Sequence, residues 1–475
     1  MSIVSSLRFL TSSVALLVVG GAVTVTPPAR AQGQSPTLFG VVSARHLDNG
    51  MTVVVQEDHR LPIVSLTLRY GFGPSATPAG REGVAVVTTF LMLDRSEHAP
   101  PGEAQRLFAR AGASRNGDST GQTGAVLAAT VPSNQLALPL WAWSDQMGFF
   151  DGAIDDAAVA AQCARLVGLR RAALEGQRLG RVDRFAEEAL FPDTHPGHFG
   201  TLEPESIEHV DRADVVRFHD AWITPDHATL AIVGDVNTVD ALAVVGRYFG
   251  TLPRGSRTER SRWETPPRLD GETLIDVAAA VPQASVSVHW LTPALLTADD
   301  AELDVVAHLF KGSRVAWLHW KLVDGAKVAT EVRARQRSGV AGSHFEVTLE
   351  GAPGKSADEL LAALDAALVE ARARQPTQAE IGAAVYEELV HRVLATEHPA
   401  TRAGEYAKLT AVLGKPDYWR GDIARYESVT PRSIHDAIAQ WLPADRRVVI
   451  RVTPSPGASI GGDRTGTHTS RARTP

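Results

Sequence analysis

The residues able to do chemistry in this chain are its 16 histidines and 54 Asp and Glu side chains, beside a single cysteine, Cys163. Two histidines one helical turn apart, with a glutamate next to one of them, can hold a zinc ion and act on its bound water. The Glu-His step occurs at Glu97-His98, Glu208-His209 and Glu397-His398. The histidine needed three residues before each glutamate is replaced by Asp94, Glu205 and Leu394. His-Glu-x-x-His is missing as well. His195 and His198 bracket Pro196-Gly197, which reads as a turn rather than a chelate. His308 falls in an apolar helical stripe and reads as a satisfied core histidine, His319 and Trp320 read as packing, and His98 reads as a surface-loop residue. No Gly-x-Ser-x-Gly elbow follows a strand, which disfavours a serine triad, and one cysteine permits no internal disulfide.

The elements that must position these residues fall into two halves. A hairpin is expected over residues 43–58 with Asp48-Asn49-Gly50 at its turn, then a strand over 63–70 whose alternation implies one buried face. Helices over 83–93 and from 102, strands on either side of Gly121, long helices over 133–149 and 154–175, and a buried strand over 228–235 complete the first half. Residues 251–271, rich in Arg, Pro, Ser and Thr, read as a linker. Beyond it come a strand over 284–290, a helix opened by Thr297 with Asp300, and Gly312-Ser313-Arg314 leading into a helix over 315–322. Strands over 330–335 and 344–349 precede two helices with capping boxes, Ser356 with Glu359 and Thr377 with Glu380. A helix over 432–441 and a strand over 447–452 close the half. The recurring order implies an internal duplication over 43–250 and 272–454. The expected fold is α+β, two homologous repeats, each a mainly antiparallel sheet with helices packed on one face.

At the start, Arg8, an apolar run over 14–25 and Ala29-Arg30-Ala31 read as a signal peptide over 1–31, cut after Ala31, which implies a periplasmic or secreted protein. The run is too short to span a bilayer of about 30 Å, and no cysteine follows it to carry a lipid anchor. Residues 32–42 read as a leader segment, and 455–475, polar with one isolated Ile, as a disordered tail. The formal charge of −7 disfavours nucleic acid and anionic membrane as partners.

Several segments stand in a specific order. They are Leu47-Asp48-Asn49-Gly50-Met51-Thr52-Val53, Pro62-Ile63-Val64, Arg81-Glu82-Gly83-Val84-Ala85, Thr224-Pro225-Asp226, Gly234-Asp235-Val236 and Gly414-Lys415-Pro416-Asp417-Tyr418. In these the chain resembles the pitrilysin/insulinase family of inverted zincins, specifically its two-repeat bacterial members and the related processing-peptidase and core subunits. Active members carry His-x-x-Glu-His on the helix after Gly-hydrophobic-Ala, and a further glutamate about 75 residues on. The resemblance puts Val86, Thr89 and Phe90 at the three motif positions and Leu169 at the distant one, so it implies a catalytically degenerate member with no catalytic residue, no metal ligand and no cofactor. Val86 and Phe90 are expected to fill the vacated space with apolar volume.

The resemblance places Asn116 in the edge strand that pairs with peptide substrate; Asn116-Gly117-Asp118 reads equally well as a turn. Ser313 and Arg314 match the second repeat, but the Arg and Tyr that anchor substrate in relatives are Val323 and Thr330 here. Together with the export signal, the resemblance implies an exported, non-catalytic subunit that shapes a peptide-binding chamber with an active zinc-peptidase homologue. The alternatives are a zinc-dependent metalloendopeptidase with unrecognised ligands and a stand-alone peptide-binding protein.

Overall fold

Held at its centre by buried Val, Ile and Leu, one sheet gathers the strands of the first half. These are β1 (Gln34–Thr37), β2 (Gly40–His46), β3 (Thr52–Glu57), β4 (Ile63–Gly71), β5 (Ser114–Gly121), β6 (Gly124–Pro132) and β7 (Ala228–Gly234), in the order β1-β2-β3-β7-β4-β6-β5. The second sheet holds β8 (Gly271–Ala279), β9 (Ser285–Thr292), β10 (Ala329–Arg337), β11 (Ser343–Gly351), β12 (Val448–Pro454) and β13 (Asp463–Arg471), in the order β10-β11-β9-β12-β8-β13. The computed structural model describes residues 34–37, 40–72, 76–77, 80–121, 124–192, 195, 197–198, 203–255, 268–311 and 316–471. The expected signal peptide and the middle of the expected linker lie outside them.

The run β8-β12-β9-β11-β10 repeats β3-β7-β4-β6-β5, down to one parallel pair at the same place, β8 with β12 and β3 with β7. The pairs that follow in each sheet are antiparallel. The place beside β3 is taken by β2, which precedes it, whereas the equivalent place beside β8 is taken by β13 from the far end of the chain. This corrects the expected disordered tail: residues 463–471 form a strand. Their side chains have little to bury, but the open edge of β8 offers a backbone ladder that does not depend on side-chain polarity. In the same way the expected leader contributes β1 and the start of β2.

Seven helices matter for the site and its setting: α1 (Gly83–Asp94), α2 (Asp156–Gly176), α3 (Val182–Leu190), α4 (Arg212–Trp222), α5 (Asp300–Phe310), α6 (Ala357–Ala373) and α7 (Pro399–Leu413). α1, α2 and α4 bury their apolar faces with the first sheet, and α5 and α6 with the second. Each sheet's opposite face is covered by a helix from the other repeat. α3 brings Val182, Phe185 and Leu190 onto Ile275, Val277, Ile450 and Val452 of the second sheet. α7 lies across β4 and β7, with Ala403, Tyr406 and Ala407 against Val54, Ala231 and Val233.

This reciprocal cover explains why Ser65 and Thr67, on the side of β4 expected to face solvent, are buried. The Ser65 hydroxyl is satisfied by Thr130 Oγ1 at 2.7 Å. Two further expectations shift. The helix expected to open at Thr297 begins at Asp300, because Thr297 closes a turn onto the Ala294 carbonyl (2.6 Å) and Asp300 accepts from the Leu296 amide (2.9 Å). Downstream, a short turn at Trp317–His319 runs into a π-helical turn at Trp320–Gly325 instead of one continuous α-helix.

Candidate functional site

α1 reads Gly-Val-Ala-Val-Val-Thr-Thr-Phe-Leu-Met-Leu-Asp and buries most of its circumference. Its start is fixed by Gly83, where a Cβ would stand 2.7 Å from both Ile207 Cα and the Ser206 carbonyl oxygen, so only glycine admits that approach. Thr88 and Thr89 donate their hydroxyls back to the Val84 and Ala85 carbonyls, each at 2.8 Å, which ties both side chains to their own helix. Val86 and Phe90 project on the remaining face and are only partly buried.

α2 packs beside α1 and is opened by Asp155, whose carboxylate accepts from the Ala158 amide at 2.7 Å. From it Arg165 reaches over Phe90, its guanidinium carbon 5.2 Å from the ring centroid. Leu169 stands one turn beyond Arg165 on the same side of α2 and is 56% exposed. The positions assigned by the resemblance therefore meet at the α1–α2 seam. The seam is not filled as expected: Val86 and Phe90 leave surface showing, Leu169 points largely to water, and Arg165 provides the cover.

Zinc does not fit this arrangement. Val86, Phe90 and Leu169 offer no lone pair, the Thr89 hydroxyl is bonded within its helix, and the Arg165 guanidinium brings positive charge over Phe90. Arg165 was invisible to motif reading; its place one turn before the distant-ligand position is the signal that could have singled it out. Cys163 on the same helix is buried, and burial pushes its thiol up, away from the reactive thiolate.

The other candidates are accounted for one by one. His98 is at the surface but tethered, with Nδ1 2.6 Å from Oδ1 of the buried Asp145, which also accepts from the His98 amide. His195 stacks on Phe191, its Nδ1 accepts from the Gly197 amide and its Nε2 faces the Ala341 carbonyl, while the His198 amide closes the turn onto His195. His308 pairs with Glu388 at 2.9 Å. Trp320, expected to pack, is exposed and carries Lys321 over its ring. Gly117-Asp118-Ser119-Thr120-Gly121 has the spacing of a nucleophile elbow but lies inside β5, which turns back into β6 rather than into a helix.

Asn116 lies in β5, the edge strand of the first sheet, at the register shift between Arg115 and Gly117. The strand and turn readings thus meet in a β-bulge. In the second repeat Val323 is half-buried against the core and the Thr330 hydroxyl reaches the Glu350 carbonyl at 3.4 Å; Ser313 and Arg314 lie outside the described residues.

Residues 209–386 match the model of the peptidase M16 inactive domain. That stretch is homologous to M16 proteins. The chain is 23% identical over 386 residues to a zinc protease, PqqE, of Helicobacter pylori, covering 79% of this chain and 85% of that one. Its fold is that of a protease from Helicobacter pylori (TM-score 0.79, 18% identity, 87% of this chain and 99% of the other). It is also that of the periplasmic protease PqqL from Escherichia coli (TM-score 0.70, 16% identity). There 87% of this chain spans 48% of the longer one. Among the described residues no helix is long and apolar enough to cross a membrane.

Proposed function

We propose that this chain is an exported, non-catalytic subunit that forms part of a peptide-binding chamber together with an active zinc-peptidase homologue. The observation that carries the reading is the α1–α2 seam, where Phe90 lies under the Arg165 guanidinium in place of a ligand set. Support for a second half comes from length, since the chain spans 48% of PqqL, and support for export from the Ala29-Arg30-Ala31 site after the apolar run and from the periplasmic character of PqqL. The edge strand β5 offers a backbone ladder to an extended peptide, an interaction that needs no metal.

Co-expression with an exported relative carrying intact His-x-x-Glu-His, followed by size-exclusion chromatography, tests the reading. The two chains should co-elute, and the pair should cleave peptides faster than the relative alone. Separate elution with unchanged activity would favour the stand-alone peptide-binding protein. Rebuilding only the helix motif, by Val86→His with Thr89→Glu and Phe90→His, should give no measurable peptidase activity because Arg165 and Leu169 still oppose the metal. Restored zinc-dependent cleavage in that triple variant would contradict it.

A further inference from the structure

Away from the α1–α2 seam, three acceptor atoms converge with no donor between them among the described residues. His219, on α4, is 5% exposed, and its Nε2 lies 3.0 Å from the Gln146 carbonyl, which fixes the proton on Nε2 and leaves a lone pair on Nδ1. That lone pair faces two carboxylates: Asp220 Oδ1 at 3.7 Å and Asp151 Oδ1 at 3.9 Å. Among the described residues, neither His219 Nδ1 nor Asp151 Oδ1, both buried, has a hydrogen-bond partner. The ring is held in place by Phe150 stacked at 4.7 Å. Arg212, the nearby cation, directs its hydrogen bonds to the main-chain carbonyls of Asp151 and Ile154 instead of to the carboxylate. Glu97 adds a further negative charge beside Gly152.

An imidazole lone pair turned toward two carboxylates is repulsive unless something positive lies between them. Burial disfavours the imidazolium, so a proton on Nδ1 is a poor solution. We infer that Asp151, His219 and Asp220 form a binding site for a first-row divalent metal ion such as Zn²⁺, separate from the degenerate family position. At metal–ligand bonds of about 2.0–2.2 Å, tetrahedral ligand atoms stand about 3.4 Å apart, so separations of 3.7 and 3.9 Å need to close by only a few tenths of an ångström as an ion binds. The full set lies within 4.8 Å, and rotation of the exposed Asp220 closes the remainder. A backbone carbonyl on the far nitrogen of the ring is the usual outer partner of a metal-bound histidine. Mixed nitrogen and oxygen donors favour transition metals over Ca²⁺ or Mg²⁺. The other compact cluster, His289, His344 and Glu346, is a weaker candidate because Arg335 and Arg337 already occupy both oxygens of Glu346.

The test is equilibrium dialysis of the chelator-stripped full chain against ZnCl₂, with the unfolding midpoint followed in parallel. One zinc per chain and a zinc-dependent rise in the midpoint are expected. Asp220→Asn should weaken binding at least about tenfold and abolish that rise, each read against the variant's own metal-free midpoint. His98→Ala should leave both unchanged. Failure to bind zinc, or binding indifferent to Asp220→Asn, overturns the inference. Neither result bears on pairing with a homologue, which is read by co-elution.

Discussion

The two helices that cross between the repeats do the same job by different means. α3 covers the second sheet chiefly with apolar side chains, Val182, Phe185 and Leu190 against Ile275, Val277, Ile450 and Val452, with Asp183 exposed and Glu187 partly buried. α7 covers the first sheet with Ala403, Tyr406 and Ala407 but also buries Arg402 completely. Its guanidinium donates to Gln56 Oε1 at 3.0 Å, to the Thr396 carbonyl at 2.9 Å and to Asp58. An apolar crossing tolerates sliding, because burial has no direction. A buried guanidinium with several fixed acceptors admits one register, at the cost of desolvating a charge.

The largest expected effect comes from breaking the polar crossing. Arg402→Ala leaves Gln56 and the Thr396 carbonyl short of a donor and should cost about 4 kcal/mol in urea unfolding. Phe185→Ala in the apolar crossing should cost about 3 kcal/mol through the cavity it leaves, with no added pH dependence.

pH should separate the two crossings by sign. Arg60 and then Arg402 hold the Asp58 carboxyl well below its usual range, so its contribution is in place above about pH 4 and is lost as pH falls. On α3, burial and then Asp183 push Glu187 from 4.5 up to about 7. The folded state binds that proton more tightly than the unfolded chain, so stability declines as pH rises from 4.5 to 7 and is level beyond. Glu187→Gln should flatten that decline, and Arg402→Ala should shrink the acid-side loss, both read from unfolding midpoints across pH. The smallest effect is expected for Arg464→Ala. Arg464 on β13 lies 4.2 Å over the Phe185 ring and pairs with Glu188 at the rim of the apolar crossing, a contribution of about 0.5–1 kcal/mol.

Much of this architecture was legible from residues in order. The capping boxes of Ser356 with Glu359 and Thr377 with Glu380 form as read, because a cap is satisfied within four residues whatever lies around it. The duplication was legible too, since each strand and helix announces itself by its own period. Whether Val86, Phe90 or Leu169 can offer a lone pair is a matter of residue identity, and sequence decides it outright: no packing can give them one.

Tertiary structure alone decided the rest. The period of α3 or α7 shows that one face is apolar but not which sheet receives it, so Ser65 and Thr67 read as exposed until α7 covered them. The polar text of 463–471 became β13 because the edge of β8 stood open, a property of the sheet and not of that segment. Arg165 over Phe90 and the meeting of Asp151 with His219 join residues 75 and 68 positions apart. Such contacts exist only once helices from separate stretches of chain are packed side by side, and no local period encodes them.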